Sequence, residues 1–264
     1  MRTAPAGAVS RGHRSGSGPR AGGDFGMADL HQHSLYSDGT ATVRDILDHV
    51  ERDTVLDVVA ITDHERIDGA LRAAEVHAGG DYSFDLVVGE EVTTRRGHVL
   101  ALFITERVPA LRPLDETLHH IHAQDGIAIA AHPMAPLPLS VGRRSLLTVR
   151  DHEHEHVYFD AVELFNPSYA GRVRQEARLR LNAAELRLPA VGNSDAHILE
   201  AIGTGFTRFP GHTADAYRQA IAEGTVEAGG EHWSRWHNVS TYRRQVIAKL
   251  RHLAHTVVPR GEWR

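Results

Sequence analysis

The sequence predicts an α/β fold, a β/α barrel, on the strength of three observations. From Ala28 onward, apolar strand-like runs alternate with amphipathic helical stretches, an order typical of parallel α/β proteins. Polar, ligand-type residues repeatedly follow the apolar runs, at the strand ends where β/α barrels place their active sites. The chain has 264 residues, 41% of them hydrophobic, enough for one large barrel or two small domains.

The predicted elements follow one another without an internal repeat or an interdomain linker. Strands are predicted at Ala28–His31, Asp57–Thr62, Phe84–Glu91, His98–Ile104, Gly126–Ala131, Ala161–Phe165, Leu188–Gly192 and Thr204–Phe209. Helices are predicted at Val43–Arg52, Arg66–Ala78, Leu114–Ala123, Ala170–Arg187 and Ala214–Glu223, with Thr42 and Thr213 as N-caps. The stretch Val141–Val157 interrupts this alternation, and we expect a loop or a short helix above the barrel mouth.

Both ends of the chain are predicted to lie outside the barrel, which we place at residues 27–230. Residues 1–26 are rich in Arg, Gly, Ala, Ser and Pro and lack the apolar segment of a secretory signal, so we expect a disordered tail. Residues 231–264 are predicted to form a basic, partly helical extension. No run approaches the length of a membrane span, so we expect a cytoplasmic protein without a membrane partner.

Composition narrows the chemistry that the chain can perform. Without cysteine it has no disulfide and no thiolate ligand, so a zinc site would use His, Asp and Glu. Histidine is frequent, at 20 residues, and metal binding is one explanation. The formal net charge of -5 gives no general reason to expect nucleic acid as a partner. The single lysine, Lys249, excludes Schiff-base chemistry, a P-loop lysine and a carboxylated-lysine metal bridge from everything before it.

Two short segments far apart in the chain each place two metal-ligand side chains two residues apart. His31 and His33 follow the first predicted strand, and Asp195 and His197 follow a late one. Residues two apart on an extended strand point to the same face, so each pair can reach one ion. The pairs therefore predict one metal site where the first and last strands of a barrel meet.

Further candidate ligands lie at the ends of other predicted strands: Asp63, His64, Glu90, Glu91, His132 and Asn166. Side-chain alternation indicates that one of Glu90 and Glu91 faces the site, without deciding which. Nitrogen and carboxylate ligands without thiolates suit zinc, manganese or iron. Clustered divalent ions would lower the pKa of a bridging water and supply hydroxide at neutral pH.

In their order along the chain, these motifs resemble the PHP family, named for polymerase and histidinol phosphatase. The resemblance covers roughly residues 28–230 and rests on His31-x-His33, Ser37-Asp38-Gly39, Thr62-Asp63-His64, Gly89-Glu90-Glu91-Val92, His98, Ala131-His132-Pro133 and Asp195-x-His197. Family members are distorted seven-stranded β/α (TIM-like) barrels with up to three metal ions, and most characterised members hydrolyse phosphate esters. The resemblance implies this fold, two or three divalent ions (Zn, Mn or Fe) and a phosphoesterase activity.

The resemblance also implies which residues bind the ions. A first ion would be bound by His31, His33, Glu91 and Asp195. Glu91, favoured here because Glu90 takes the family's apolar position, would bridge to a second ion bound by His132. A third ion would be bound by Asp38, His64 and His197. His98 matches a position that lines the site in some members, as a ligand or as its neighbour.

Catalytic and substrate-binding roles are predicted for six residues. His33 or His197 would protonate the leaving oxygen, and Asp63 would orient a ligand imidazole. Asn166 lies where some family members have another ligand, and substrate could complete that site. Arg143 and Arg144 would bind a substrate phosphate together.

The leading functional prediction is hydrolysis of a small phosphorylated or nucleotide substrate by metal-activated hydroxide, with phosphate as a product. A phosphomonoesterase of the histidinol-phosphate kind, a 5′–3′ exonuclease on short oligonucleotides and a non-catalytic, metal-stabilised barrel remain alternatives. An amidohydrolase-type barrel also begins with His-x-His, but it commonly uses the carboxylated lysine that this chain lacks. A helical insertion found in some stand-alone family members is missing between His98 and His132, which weakens any substrate assignment by analogy.

Overall fold

The fold is a mixed β-sheet that curves into a nearly closed barrel. The computed structural model describes residues 7–9, 23–135, 139–152 and 154–234. Within these residues, the strands are β1 Ala8–Val9, β2 Phe25–Asp29, β3 Val58–Ile61, β4 Asp85–Thr94, β5 Gly97–Leu102, β6 Ile127–Ala130, β7 Ala161–Phe165, β8 Ala190–Gly192, β9 Gly205–Pro210 and β10 Glu227–Gly230. The helices are α1 Val43–Asp53, α2 Asp68–Ala78, α3 Leu114–His122, α4 Arg143–Arg150, α5 Tyr169–Arg172, α6 Gln175–Leu181 and α7 Ala214–Glu223. A π-helical turn, Asn182–Leu186, and a short 3₁₀ helix, Leu199–Ala201, complete the set.

The strand order confirms the α/β barrel and corrects two of its details. Hydrogen bonds join the strands in the order β10-β9-β2-β3-β4-β5-β6-β7-β8, and β1 pairs with β4. The described residues thus contribute ten strands, where the apolar runs predict eight and the family resemblance implies a seven-stranded barrel. The sheet is also mixed: β5 runs antiparallel to both β4 and β6, and β9 runs antiparallel to both β2 and β10.

The direction of β5 follows from the shortness of its connection to β4. Thr94 pairs with Gly97, so Arg95 and Arg96 form the turn of a hairpin. A parallel pair would need a crossover of a dozen or more residues, which this turn cannot provide. Gly97 has a φ of 129°, and a Cβ there would overlap the backbone of Val141. Glycine is therefore required where the hairpin packs against the chain leading into α4.

Two groups of buried apolar residues lie on the two sides of the barrel wall. The inner group contains Leu30, Val58, Val87, Leu100 and Ile129, each from or next to a different strand. The outer group joins the opposite faces of the strands to the apolar faces of the helices. Together they explain why β3 and β4 are buried along their whole length.

Local sequence accounts for the two best-defined helices, both of which were predicted. In α1, Thr42 and Asp45 form a reciprocal capping box, and buried residues recur with helical spacing along one face. In α7, Thr213 accepts a hydrogen bond from the backbone N–H of Ala216, and Gly224 ends the helix with a φ of 68°. The buried face of α7 joins the inner apolar group, so α7 covers the end of the barrel where β4 begins.

The predicted helix Ala170–Arg187 is interrupted in the structure. Val173 is extended and Arg174 has a φ of 61°, so α5 and α6 are separate helices. The π-helical turn then ends at Arg187, whose φ is 55°. The helical periodicity of this stretch is correct for α6, but the loop geometry after β7 overrides it at Val173 and Arg174.

Parts of the predicted terminal segments have regular structure. Within the predicted disordered tail, Ala8–Val9 pairs with β4, and β2 begins at Phe25. Beyond the predicted end of the barrel, the Trp233 backbone N–H donates to the Pro167 carbonyl (3.0 Å). Residues 10–22 and 235–264, which include most of the predicted tail and basic extension, lie outside the described residues. In the part that is described, no helix is both long and apolar enough to span a membrane.

Candidate metal centre

The two ligand pairs predicted from the sequence lie side by side at one end of the barrel. Gln32 and Ala196, the middle residues of the two segments, form a parallel bridge. The His33 N–H donates to the Ala196 carbonyl (2.8 Å), and the Ala196 N–H donates to the His31 carbonyl (3.2 Å). This pairing directs both i and i+2 side chains of each segment toward the same space, as the extended geometry predicts.

The first group of candidate ligands is His31, His33, Glu91 and Asp195, whose ligand atoms all lie within 4.8 Å of one another. The Nε2 atoms of His31 and His33 lie 3.1 and 3.3 Å from Glu91 Oε2. The same nitrogens lie 3.4 and 3.3 Å from Asp195 Oδ1. Two imidazoles and two carboxylates at this spacing match the ligand set that the resemblance implies for a first ion.

A second group combines His33 with Asp38, His64 and His197. Asp38 Oδ1 lies 3.1 Å from His197 Nε2 and 3.6 Å from His64 Nε2. The other ring nitrogen of His33, Nδ1, lies 3.8 Å from the same oxygen. His197 therefore faces Asp38 with its Nε2, whereas Asp195 faces the first group.

Glu91 lies at the centre of the site because its two oxygens contact different histidines. Its Oε1 lies 2.7 Å from His98 Nδ1 and 3.0 Å from His132 Nε2. Its Oε2 contacts His31 and His33, and His64 Nδ1 at 3.2 Å. This arrangement suits a carboxylate that bridges two ions, and it places His98 as close to Glu91 as His132.

The buried polar atoms that lack a well-formed hydrogen bond show that these residues fit metal ions. Among the described residues, several buried atoms form no hydrogen bond of normal geometry: His31 Nε2, both ring nitrogens of His33, Glu91 Oε2, both ring nitrogens of His98 and His132 Nδ1. Buried polar groups without partners are rare in folded proteins, because each loses its hydration uncompensated. Their convergence on one small space is accounted for by cations that accept their lone pairs.

Opposite charges control protonation inside this buried cluster. Burial disfavours a charged imidazole, but the carboxylates of Asp195 and Glu91 beside His33 outweigh it and raise its pKa to about 10. Burial also opposes ionisation of Glu91, yet the surrounding imidazoles, with that of His98 foremost, hold its pKa well below the usual value. In His64, burial prevails and lowers the pKa to about 4. Metal ligands must be deprotonated, so an ion that binds here displaces protons.

Comparisons with solved structures agree with the fold. A two-domain protein from Bacteroides vulgatus, containing a predicted PHP-like metal-dependent phosphoesterase, has a TM-score of 0.59 and 18% identity, over 84% of this chain and 70% of that one. The lesion-specific endonuclease PfuEndoQ from Pyrococcus furiosus has a TM-score of 0.56 and 19% identity, over 77% of this chain and 57% of that one. At such identities the likeness shows a shared fold.

Sequence comparison identifies the family as well as the fold. A family model described as PHP-associated matches residues 175–226. An uncharacterized protein of Methanocaldococcus jannaschii, MJ1587, is 32% identical over 150 residues, which cover 53% of this chain and 81% of that protein. This chain belongs to the PHP family. The resemblance inferred from the short motifs is thereby confirmed.

Glu163 is a contributor to this PHP site that the sequence reasoning missed. It lies fully buried in β7, where its Oε1 is 3.1 Å from His31 Nδ1 and accepts a hydrogen bond from Asn193 Nδ2 (3.0 Å). Its Oε2 accepts from the backbone N–H of His132 (2.7 Å). The sequence contained one signal for this role, which is an acid at the centre of an apolar strand. Ala161 and Val162 precede Glu163, and Leu164 and Phe165 follow it. A carboxylate on Nδ1 leaves Nε2 of His31 free to bind an ion.

Asp63 has a different role from the predicted one. Its carboxylate accepts hydrogen bonds from the Ser34 backbone N–H (2.7 Å), the Ser34 hydroxyl (2.6 Å) and the Ser37 hydroxyl (2.6 Å). These contacts fix the loop between His33 and Asp38. Among the described residues, no imidazole is hydrogen-bonded to this carboxylate, so Asp63 positions the loop and does not orient His64.

Asn166 lies beside the ligands but contacts them as a donor. Its Nδ2 donates to Asp195 Oδ2 (3.2 Å) and approaches Glu163 Oε2 (3.4 Å), while its Oδ1 accepts from the Ser168 N–H (3.1 Å). Its amide oxygen is therefore engaged in a turn. This geometry makes Asn166 an orienting partner of Asp195, where the sequence predicted a substrate-binding residue.

Arg143 and Arg144 do not converge on a single phosphate. Arg143 donates to Glu185 Oε1 (2.7 Å) and lines a cavity of about 780 Å³ beside Met134. Arg144 lines a separate groove with Arg95 and Arg96. Consecutive residues on a helix point in different directions, which is why adjacent arginines in the first turn of α4 separate.

Glu90 is excluded from the site by strand alternation. It is buried against the segment beyond β5, where its Oε2 accepts from the Val108 N–H (3.1 Å) and Arg107 lies 3.9 Å from its Oε1. Burial raises the pKa of Glu90 to about 7. Glu91, on the opposite face of β4, is the residue that contacts the histidines, as the resemblance favoured.

Proposed function

We propose that this PHP-family protein hydrolyses phosphate esters with two or three divalent metal ions held around Glu91. The observation that carries the proposal is the position of the Glu91 carboxylate, in contact with His31, His33, His64, His98 and His132 at 2.7 to 3.3 Å. Asp38 and Asp195 belong to two candidate ligand groups that share His33. Bound ions would lower the pKa of a coordinated water and neutralise charge on a phosphoryl oxygen.

The ligand assignment follows from which nitrogen each histidine leaves available. His31 directs Nδ1 to Glu163 and Nε2 toward Glu91 and Asp195. His197 directs Nδ1 to the Asp195 carbonyl (2.9 Å) and Nε2 to Asp38. Because an Nδ1–H donor leaves a lone pair on Nε2, both contacts support ligand roles for these rings. Protonation of the leaving oxygen by His33 or His197 stays a prediction.

The exposed side of the cluster indicates where a substrate would enter. His31 and Glu91 are almost fully buried, whereas the side chains of His64 and Asp195 are 24% and 19% exposed. A phosphoryl group would therefore approach between His64 and Asp195. Phosphoryl transfer depends mainly on positioning and electrostatics, so a site without a side-chain nucleophile is sufficient. We propose a small phosphorylated compound or nucleotide as substrate, with phosphate as a product.

Replacement of Glu91 by glutamine tests the proposal, with Glu90→Gln as a matched control. Both variants change a buried glutamate to its neutral isostere at adjacent positions, but only Glu91 contacts the histidines. We expect purified wild-type protein and Glu90→Gln to contain divalent metal and to hydrolyse 4-nitrophenyl phosphate or bis(4-nitrophenyl) phosphate. Glu91→Gln should bind less metal, and its rate of hydrolysis should fall at least a hundredfold. The reason is that the negative charge of Glu91 lies at the centre of the candidate ligands and would be shared by the bound ions.

The choice of chromogenic ester also separates the two hydrolase types, since one compound is a monoester and the other a diester. Metal content is measured by elemental analysis, before and after reconstitution with manganese. A wild-type protein that binds no divalent metal after reconstitution would contradict the proposal. Equal hydrolysis by Glu91→Gln and wild type would do so as well.

A further inference from the structure

A groove of about 500 Å³ lies beside the hairpin that joins β4 and β5. Its walls are the hairpin turn, the first turn of α3 and one side of α4, and we call it the hairpin groove. Arg95, Arg96, Arg144 and Ser145 line it, with Asp115 as a lining carboxylate. Nothing in the proposed chemistry at Glu91 uses these residues.

Among the described residues, no acid forms an ion pair with the arginines of the hairpin groove. Arg95 donates through Nε to the Leu111 carbonyl (3.0 Å). Within the part of the chain that the structure describes, Arg95, Arg96 and Arg144 form no ion pair. The cavity beside Met134 differs, because there Arg143 pairs with Glu185 and Arg180 pairs with Glu176. The hairpin groove therefore keeps a local positive charge on a chain whose net charge is -5.

The hairpin connects this groove to the metal centre. Glu91 and His98 lie on its two strands, and the Thr93–His98 pair is two residues from the turn. Because Arg96 and His98 are two residues apart, their Cα atoms lie within about 7 Å of each other. The backbone N–H of His98 donates to the Leu139 carbonyl (2.9 Å), which fixes the hairpin against the segment before α4. The groove and two residues of the site, Glu91 and His98, thus belong to the same hairpin.

We propose that the hairpin groove binds a phosphate group of the substrate other than the one that is hydrolysed. Guanidinium groups bind phosphate oxygens through paired, charge-assisted hydrogen bonds, and unpaired arginines are available for them. The inference rests on the proposed function, since it gives the substrate of the same site at least two phosphates. A nucleoside diphosphate and a short oligonucleotide both supply this chemistry.

The double variant Arg96→Ala/Arg144→Ala tests the groove, and Arg72→Ala/Arg208→Ala is its matched control. Arg72 and Arg208 are 53% and 51% exposed and lie outside the groove, so both double variants remove two surface positive charges. The probes are adenosine 5′-(α,β-methylene)diphosphate and a fluorescent phosphorothioate hexanucleotide, both resistant to hydrolysis. Binding to the metal-loaded full-length protein is measured by calorimetry and by anisotropy, respectively, with adenosine monophosphate as the one-phosphate reference.

We expect the groove variant to bind at least one two-phosphate probe roughly tenfold or more weakly than the control variant, because each arginine forms charge-assisted hydrogen bonds. Adenosine monophosphate should bind all proteins equally. If the hexanucleotide is affected, the slope of log K against log salt should shrink by about 1.4, since each single-strand phosphate contact contributes about 0.7. Weakening of the hexanucleotide alone would identify a polynucleotide backbone as the ligand, and weakening of both probes would identify any second phosphate.

Equal affinities of the two double variants for both probes would overturn the inference. This result is distinguishable from failure of the proposed function, which the aryl phosphate assays and metal analysis decide with the wild-type protein. Equal weakening of adenosine monophosphate would also overturn it, because the arginines would then act on the first phosphate.

Discussion

At the scale of single residues, the site depends on carboxylates that do not themselves face the substrate. Glu163 contacts the Nδ1 of His31 and the backbone N–H of His132, so one buried acid positions ligands from two strand ends. Burial opposes its ionisation, but the imidazoles of His31 and His132 together outweigh burial and lower the pKa of Glu163 below its usual value. An ionised acceptor on Nδ1 raises the basicity of the ring and fixes its orientation.

Glu163→Gln should therefore weaken metal binding while leaving the ligands themselves unchanged. We expect the affinity for manganese to fall tenfold to a hundredfold, as for other partners of metal-bound histidines. Competition with a chromogenic chelator measures this affinity. Glu90→Gln, another buried glutamate, is the control and should keep wild-type affinity. If both variants bind manganese as tightly as the wild type, Glu163 does not position His31.

At the scale of elements, the loops after β6 and β7 are joined by one buried arginine. Arg178, on α6, is 2% exposed. Its guanidinium donates to the carbonyls of Gly171, Val173 (3.1 Å) and Pro133 (3.4 Å). The Pro133 carbonyl directly follows His132, whereas Gly171 and Val173 lie in and directly after α5, in the connection that follows Asn166. The same contacts explain why helical structure stops at Val173, because its carbonyl is used by Arg178.

Arg178→Met should destabilise the protein and disturb the site. The variant keeps much of the apolar stem but loses three donors to carbonyls, about 1 kcal/mol each, or on the order of 3 kcal/mol in total. That loss corresponds to a Tm lower by roughly 6–12 °C, measured by thermal unfolding. Arg180→Met, at a side chain that is 74% exposed on the same helix, should shift Tm by less than about 2 °C. Similar Tm values for the two variants would contradict this role of Arg178.

At the scale of the whole molecule, a strand near the start of the chain completes the barrel wall. Residues 85–88 of β4 pair with β3, and residues 89–94 pair with β5. The first four residues of β4 therefore have one edge that does not pair with β5. Ala8 and Val9 occupy that edge, and the Gly7 carbonyl accepts from the Val88 N–H (2.6 Å). Gly7 has a φ of 78°, and a Cβ there would overlap the backbone of Phe103 and Ile104.

Gly7→Val should therefore lower the stability of the full-length protein, by roughly 1–3 kcal/mol for a strained backbone with a steric overlap. Gly23→Val is the matched control, because a Cβ at Gly23 meets no atom within 4 Å. Denaturant unfolding, followed by tryptophan fluorescence, compares the two. Indistinguishable unfolding midpoints would show that β1 contributes nothing to the stability of the barrel.

Much of the architecture and the ligand set could be predicted because both leave short-range signals. Alternating apolar runs predicted eight strands, and the structure contains a strand within or overlapping each of those segments. The His31/His33 and Asp195/His197 pairs were identifiable because extended spacing constrains which side chains share a face. The choice between Glu90 and Glu91 needed the family resemblance, since alternation alone allows either.

The sequence by itself determined the chemical identity of the site: oxygen and nitrogen ligands, no thiolates, no usable lysine, and pairs placed at strand ends. Only the tertiary structure decided which residues form hydrogen bonds to those ligands and orient them. Glu163 reaches His31 across 132 positions of sequence, and no local pattern encodes that distance. Likewise, a two-residue turn reverses β5, and helix geometry separates Arg143 from Arg144. Ligand type is a property of individual side chains, whereas their partners are a property of chain packing.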